Sequence, residues 1–77
     1  MAEIKVWFIQ CEPWEDIARK LESKYQEAIN SWGLSKEGDW IMELWVSEEK
    51  GSWSLIQRAL DDSACIIASG QGWEVLP

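Results

Sequence analysis

The spacing of apolar residues predicts an amphipathic helix in the first half of the chain. Pro13 fits the first helical turn, where its missing N–H costs no hydrogen bond, and Gly33 fits the C-terminal cap. Between them, apolar residues recur every three or four positions and would form one stripe on a helix. These residues are Trp14, Ala18, Leu21, Tyr25, Ala28 and Trp32, with Ile17 and Ile29 beside them. We therefore expect a helix over residues 13–32.

Strand-like patterns occupy the remainder of the chain. Residues 3–10 alternate loosely between apolar and polar side chains, which predicts an N-terminal strand or extended arm. Residues 40–47, 52–59 and 64–69 are rich in β-branched and aromatic side chains and predict three strands. Residues 73–76 are expected to begin a short fourth strand.

Two turn sequences separate these strands. Residues 48–51 are a hairpin loop with glycine in the last position, and Asp61-Asp62 forms the next turn. An alternative makes residues 53–60 a helix and gives a β-α-β-α-β arrangement, but the β-forming residues at 53–56 favour a meander. The prediction is a single α+β domain over residues 1–77. One N-terminal helix packs on a three- to four-stranded antiparallel meander, preceded by the strand or arm.

Pairing across the turns gives this sheet two apolar faces. Placing Ser47 opposite Ser52 pairs Leu44 with Leu55, and placing Leu60 opposite Ser63 fixes the third strand. The first face then holds Trp40, Met42, Leu44, Val46, Trp53, Leu55, Gln57, Ile66 and Ala68. The second face holds Ile41, Trp45, Ile56, Cys65 and Ile67, with Glu43 and Arg58 near enough to pair.

The apolar surface exceeds what one helix can cover. A single helix shields one face of a small antiparallel sheet, and the other face would be a larger apolar patch than monomers normally expose. Seven tryptophans in 77 residues add to this excess. A second subunit is the simplest cover, and a symmetric homodimer is the commonest closed assembly. The candidate ligand or interface residues are Trp40, Trp45, Trp53, Trp73 and Glu43.

The charge of the chain bears on its partners. The formal net charge is −7, which repels a phosphate backbone and disfavours nucleic-acid binding. The same field attracts cationic groups. No apolar run approaches the roughly 20 residues of a membrane span, so no membrane partner is expected. The first ten residues do not resemble a signal peptide, which favours the cytoplasm.

Little catalytic chemistry can be assembled from these residues. Histidine is absent, so the chain has no Ser-His or Cys-His dyad and no complete zinc ligand set, and we expect no enzyme activity, metal or cofactor. Cys11 and Cys65 are either two free thiols or a disulfide, which would stabilise the fold by about 4 kcal/mol. For Glu43, an ion pair with Arg58 is the simpler interpretation and cation binding the alternative.

Several short motifs resemble those of a group of small uncharacterised bacterial proteins. The shared motifs are a G-[ST]-W-[ST] strand, matched by residues 51–54, and a C-x-x-A-x-G strand, matched by residues 65–70. A tryptophan that closes the chain, a cysteine before a helix and a Tyr-x-Glu motif match Trp73, Cys11 and Tyr25-Gln26-Glu27. Many members look exported, so the resemblance implies a Cys11–Cys65 disulfide and a periplasmic or secreted location. It implies no activity.

Two functions are compatible with these patterns. The first is a non-enzymatic protein-interaction module that self-associates through an apolar, tryptophan-rich sheet face. The second is a small-molecule binder whose tryptophans and acids form a pocket for a cationic or sugar-like ligand.

Overall fold

A computed structural model describes residues 10–76 of the chain. It contains one helix and five strands, which confirms the α+β prediction with more strands than expected. The elements in chain order are β1 (Gln10–Pro13), α1 (Trp14–Tyr25), β2 (Ala28–Leu34), β3 (Trp40–Val46), β4 (Trp53–Ala59) and β5 (Ser63–Gly70). Strands β2 to β5 form a meander, and β1 lies beside β5, so the antiparallel sheet has the order β1-β5-β4-β3-β2.

The helix is shorter than its apolar stripe predicted. It begins at Trp14 after Pro13 and ends at Tyr25, where Gln26 takes a left-handed conformation and donates its N–H to the Leu21 carbonyl. The expected cap at Gly33 is therefore wrong, and residues 28–34 form strand β2 instead. Asparagine, serine and glycine between Ile29 and Leu34 are weak helix formers, so continuing the helix had little local support.

The predicted β3–β4 hairpin has the expected register. Leu44 pairs with Leu55, and Gly51 closes the loop with a φ of 75°, as a late glycine in such a loop requires. This strand pairing excludes the alternative helix over residues 53–60. Residues 73–76, expected to start a strand, form no regular element. The predicted strand over residues 3–10 lies outside the described residues except for Gln10, which begins β1.

The register of β5 differs from the prediction along half its length. Asp62 adopts a left-handed φ of 68° and donates its N–H to the Ala59 carbonyl, which shifts the turn by one residue. A bulge at Ile67 then restores the expected pairing of Leu55 with Ala68. Because a one-residue shift reverses the faces, Ile66 shares the side of Ile56, and Cys65 lies on the opposite side.

The hydrophobic core lies between α1 and one side of the sheet. Trp45, Ile56 and Ala64 contribute from β3, β4 and β5, and the helix contributes Ile17 and Leu21. We call this side of the sheet the helix face and the other side the outer face. The helix packs over the β1–β5 end of the sheet, so it leaves β2 uncovered.

Candidate functional site

Glu43 lies at the centre of a buried polar cluster on the helix face. Only 4% of its surface is exposed. The indole Nε1 atoms of Trp14 and Trp45 both donate hydrogen bonds to its Oε1, over 2.8 and 3.0 Å. An Nη atom of Arg58 lies 3.5 Å from its Oε2, which confirms the predicted pair. Both carboxylate oxygens therefore already have partners within the chain.

Arg58 connects this cluster to the turn between β4 and β5. Its guanidinium carbon lies 4.0 Å from the centroid of a Trp14 ring, a cation–π geometry. Its Nε and Nη2 atoms donate to Asp62 Oδ1 over 3.1 and 2.7 Å. The hydrogen bond to Asp62 raises the pKa of Arg58, and attraction to Asp62 and Glu43 adds to this effect against desolvation. The cluster ties α1, β3, β4 and the turn together.

The aspartates of this turn have structural partners. The backbone N–H and hydroxyl of Ser63 both donate to Asp61 Oδ1, over 3.0 and 2.6 Å, and these bonds lower the pKa of Asp61. Among residues 10–76, no three acidic or cysteine side chains are grouped closely enough to hold a metal ion.

The predicted site residues do not form one site. Trp45 and Glu43 are buried on the helix face, whereas strand pairing places Trp40 and Trp53 on the outer face. Trp73 follows the last strand, and its ring centroid lies 6.4 Å from that of Trp53. Sequence reasoning missed Trp14, whose contact with Glu43 depends on how the helix sits on the sheet.

Within residues 10–76, the outer face is formed entirely by uncharged residues. Of the residues paired across the five strands, every Asp, Glu, Lys and Arg lies on the helix face. Large apolar side chains occupy the centre of the outer face, in β3 and β4. They are Trp40, Met42, Leu44, Val46, Trp53 and Leu55, and all but Val46 are half-buried.

A second apolar surface lies on β2, an edge strand whose seven residues are all exposed. Trp32 and Leu34 are 67% and 59% exposed. Both lie on the helix face, at the edge of the sheet that α1 does not cover. The strand contains no charge or proline, the residues that commonly protect a sheet edge from pairing. Sequence reasoning missed this edge because it placed both residues outside the sheet.

The residues after β5 fold back against the loop between β3 and β4. The Trp73 N–H donates to the Gly51 carbonyl over 2.9 Å. The Trp53 indole lies over Gly70, so close that a Cβ at that position would be 2.9 Å from three atoms of the ring. The absence of a side chain at Gly70 therefore allows the Trp53 ring to pack against the backbone of Gly70, with the Trp73 ring beside it.

We expect Gly70→Ala to lower the free energy of unfolding by about 1–3 kcal/mol, because the new methyl group must displace a ring packed on its other neighbours. Urea unfolding followed by tryptophan fluorescence measures the change. Gly33→Ala is the matched control, since a Cβ there meets nothing within 4 Å. Equal stabilities for the two variants would contradict this account of Trp53.

Cys11 and Cys65 form a disulfide between paired residues of β1 and β5. The disulfide is compatible with an exported protein. In the described part of the chain, no helix is long and apolar enough to cross a membrane.

Comparison with protein-family models, with curated proteins and with solved structures found no match to this chain. The resemblance to small bacterial proteins therefore stays a prediction.

Proposed function

We propose that this chain is a non-enzymatic protein-interaction module that self-associates through its outer face. The observation that carries the proposal is that, in the part of the chain that the structure describes, none of the paired residues of that face is charged. A sheet face exposed to water normally carries polar and charged residues, while the apolar residues of each strand point to the opposite, buried face. Here the centre of the face is tryptophan, leucine, methionine and valine, a composition suited to burial against another surface.

A second copy of the chain fits this face better than an arbitrary protein. Each chain carries a net charge of −7, so two copies repel each other over most of their surfaces. The described acidic residues lie in α1, in loops and turns, and on the helix face. The outer face is thus where two copies meet with the least repulsion. A two-fold arrangement would bring each Leu44–Leu55 pair against its symmetry mate.

Leu55→Lys is expected to convert the assembly to a monomer, because it places a charge at the centre of the outer face. Light scattering coupled to size-exclusion chromatography measures the mass. Leu60→Lys is the matched control: it makes the same change at a leucine that is 68% exposed in the β4–β5 turn. It should leave the mass unchanged.

Circular dichroism of both variants establishes that each is folded before their masses are compared. A folded Leu55→Lys variant with the same mass as the wild type would contradict the proposed interface. A monomeric wild type at high protein concentration would contradict self-association itself.

The alternative small-molecule site receives no support at Glu43. The carboxylate would need a free oxygen to bind a cationic ligand, and its oxygens are held by Trp14, Trp45 and Arg58. The predicted tryptophans are divided between two faces of the sheet, so they do not line a common pocket with Glu43.

A further inference from the structure

Glu27 is a second buried carboxylate, and its environment differs from that of Glu43. It lies between α1 and β2 with 3% of its surface exposed. The Ser52 hydroxyl donates to its Oε2 over 2.8 Å. Its Oε1 is buried and has no hydrogen-bond donor among residues 10–76.

A buried carboxylate oxygen without a donor is costly. Leaving a buried acceptor unsatisfied destabilises the folded state by the full desolvation cost of that group, which is larger for a charged group than for a neutral one. The position of Glu27 adds to this cost, because its backbone N–H donates to the Leu21 carbonyl at the C-terminal end of α1. That end carries the negative pole of the helix dipole, which disfavours an anion and favours a cation.

A cavity of about 140 Å³ adjoins Glu27 between the last turns of α1 and the helix face of β4 and β5. Leu21 and Ile66 give it apolar walls, and Ser54 and Ser69 bring hydroxyl groups. Its volume is several times the roughly 10–15 Å³ that holds one water molecule, so a small organic molecule fits.

We propose that this cavity binds a small primary alkylammonium ion, with its ammonium group on Glu27. The –NH₃⁺ group supplies the donor that Oε1 lacks, and serine hydroxyls can accept its remaining N–H bonds. The alkyl group then packs against Leu21 and Ile66. The site is distinct from the Glu43 cluster, whose carboxylate already holds Arg58.

A metal ion is a poorer fit for this cavity. Divalent cations favour several oxygen ligands, commonly including more than one carboxylate, and Glu27 is the only acidic residue lining it within residues 10–76. The chain's own Lys24 has its ammonium 5.7 Å from the centroid of the Tyr25 ring and forms no ion pair with Glu27.

The test is a titration of the full chain with n-propylammonium chloride, followed by ¹H–¹⁵N NMR. Sodium chloride at equal ionic strength separates binding from screening, and tetramethylammonium chloride, which has no N–H donor, tests the hydrogen bond. We expect the amide resonances of Glu27, Ser54 and Ser69 to shift saturably with propylammonium, and not with sodium or tetramethylammonium. Saturation with tetramethylammonium at the same concentration would overturn the hydrogen-bonded geometry.

Two variants test the role of the carboxylate. Glu27→Gln keeps an oxygen for Ser52 but loses the charge, and binding should weaken by about tenfold or more. Glu22→Gln makes the same change at an exposed position of α1 and should bind like the wild type. Absence of saturable shifts in the wild type, or equal affinity of Glu27→Gln and Glu22→Gln, would overturn the proposal. Neither result bears on self-association, which is measured by mass.

Discussion

Replacing Glu43 with alanine is expected to lower the free energy of unfolding by about 3–5 kcal/mol, because two indole N–H donors lose their acceptor, at about 1–3 kcal/mol each, and Arg58 loses one of its acidic partners. The substitution leaves two indole N–H groups without their acceptor, one of them on Trp45, which is 2% exposed. It also leaves Arg58 with Asp62 alone as an acidic partner. Denaturant unfolding at neutral pH measures the loss.

Glu43→Gln is the informative comparison. The amide oxygen still accepts from the indoles of Trp14 and Trp45, but the NH₂ group that replaces Oε2 cannot accept from Arg58, so the ion pair with Arg58 is lost. We expect a smaller loss, of about 1–3 kcal/mol. A Glu43→Ala variant as stable as the wild type would contradict the description of this cluster as the polar anchor between α1 and the sheet.

Loss of the disulfide is expected to lower the free energy of unfolding by about 4 kcal/mol in the Cys11→Ala/Cys65→Ala double variant. The two cysteines are 54 residues apart, and the chain-entropy model assigns this magnitude to a loop of that length. The bond also fastens β1, a four-residue edge strand, to β5.

Urea unfolding with and without dithiothreitol measures the effect of the disulfide. Dithiothreitol should lower the urea midpoint of the wild type and leave the midpoint of the double variant unchanged. The double variant is therefore the control for any effect of the reductant that does not involve this disulfide. A wild-type midpoint that does not respond to dithiothreitol, although free thiols are detected after treatment, would contradict a stabilising role of this bond.

The parts of the fold that could be predicted depend on contacts near in sequence. A short loop with Gly51 in a left-handed conformation fixed the β3–β4 register, and the pairing of Glu43 with Arg58 followed from it. The β4–β5 register was half wrong because two compensating features, a turn shifted by one residue and a bulge at Ile67, leave no distinct mark in the sequence.

The largest error in the predicted fold was the length of the helix, because the helical spacing of apolar residues continues beyond the end of α1 into β2. The stripe from Trp14 continues at helical spacing through Trp32, but the chain changes direction at Gln26. Glutamine has no intrinsic preference for the left-handed conformation that it adopts there, so the sequence does not indicate this helix end. The composition of residues 28–34 is the feature that could have predicted β2. It combines large apolar residues (isoleucine, tryptophan and leucine) with weak helix formers (asparagine, serine and glycine).

The candidate sites were less predictable than the fold, because they depend on how α1 lies on the sheet. Trp14 reaches Glu43 across 29 residues of sequence, and no local pattern specifies that contact. Glu27 was predicted only as part of a motif. Its burial and its lone hydroxyl partner arise from the approach of Ser52, 25 residues away.

The most direct test of the central claim is an isotope-filtered NOE experiment on an equimolar mixture of ¹³C-labelled and unlabelled chains. If the outer face is covered by a second copy, contacts between labelled and unlabelled chains will involve the methyl groups of Met42, Leu44, Leu55 and Ala68. Intermolecular contacts confined to Trp32 and Leu34 on β2, or none in a protein of monomer mass, would contradict the account.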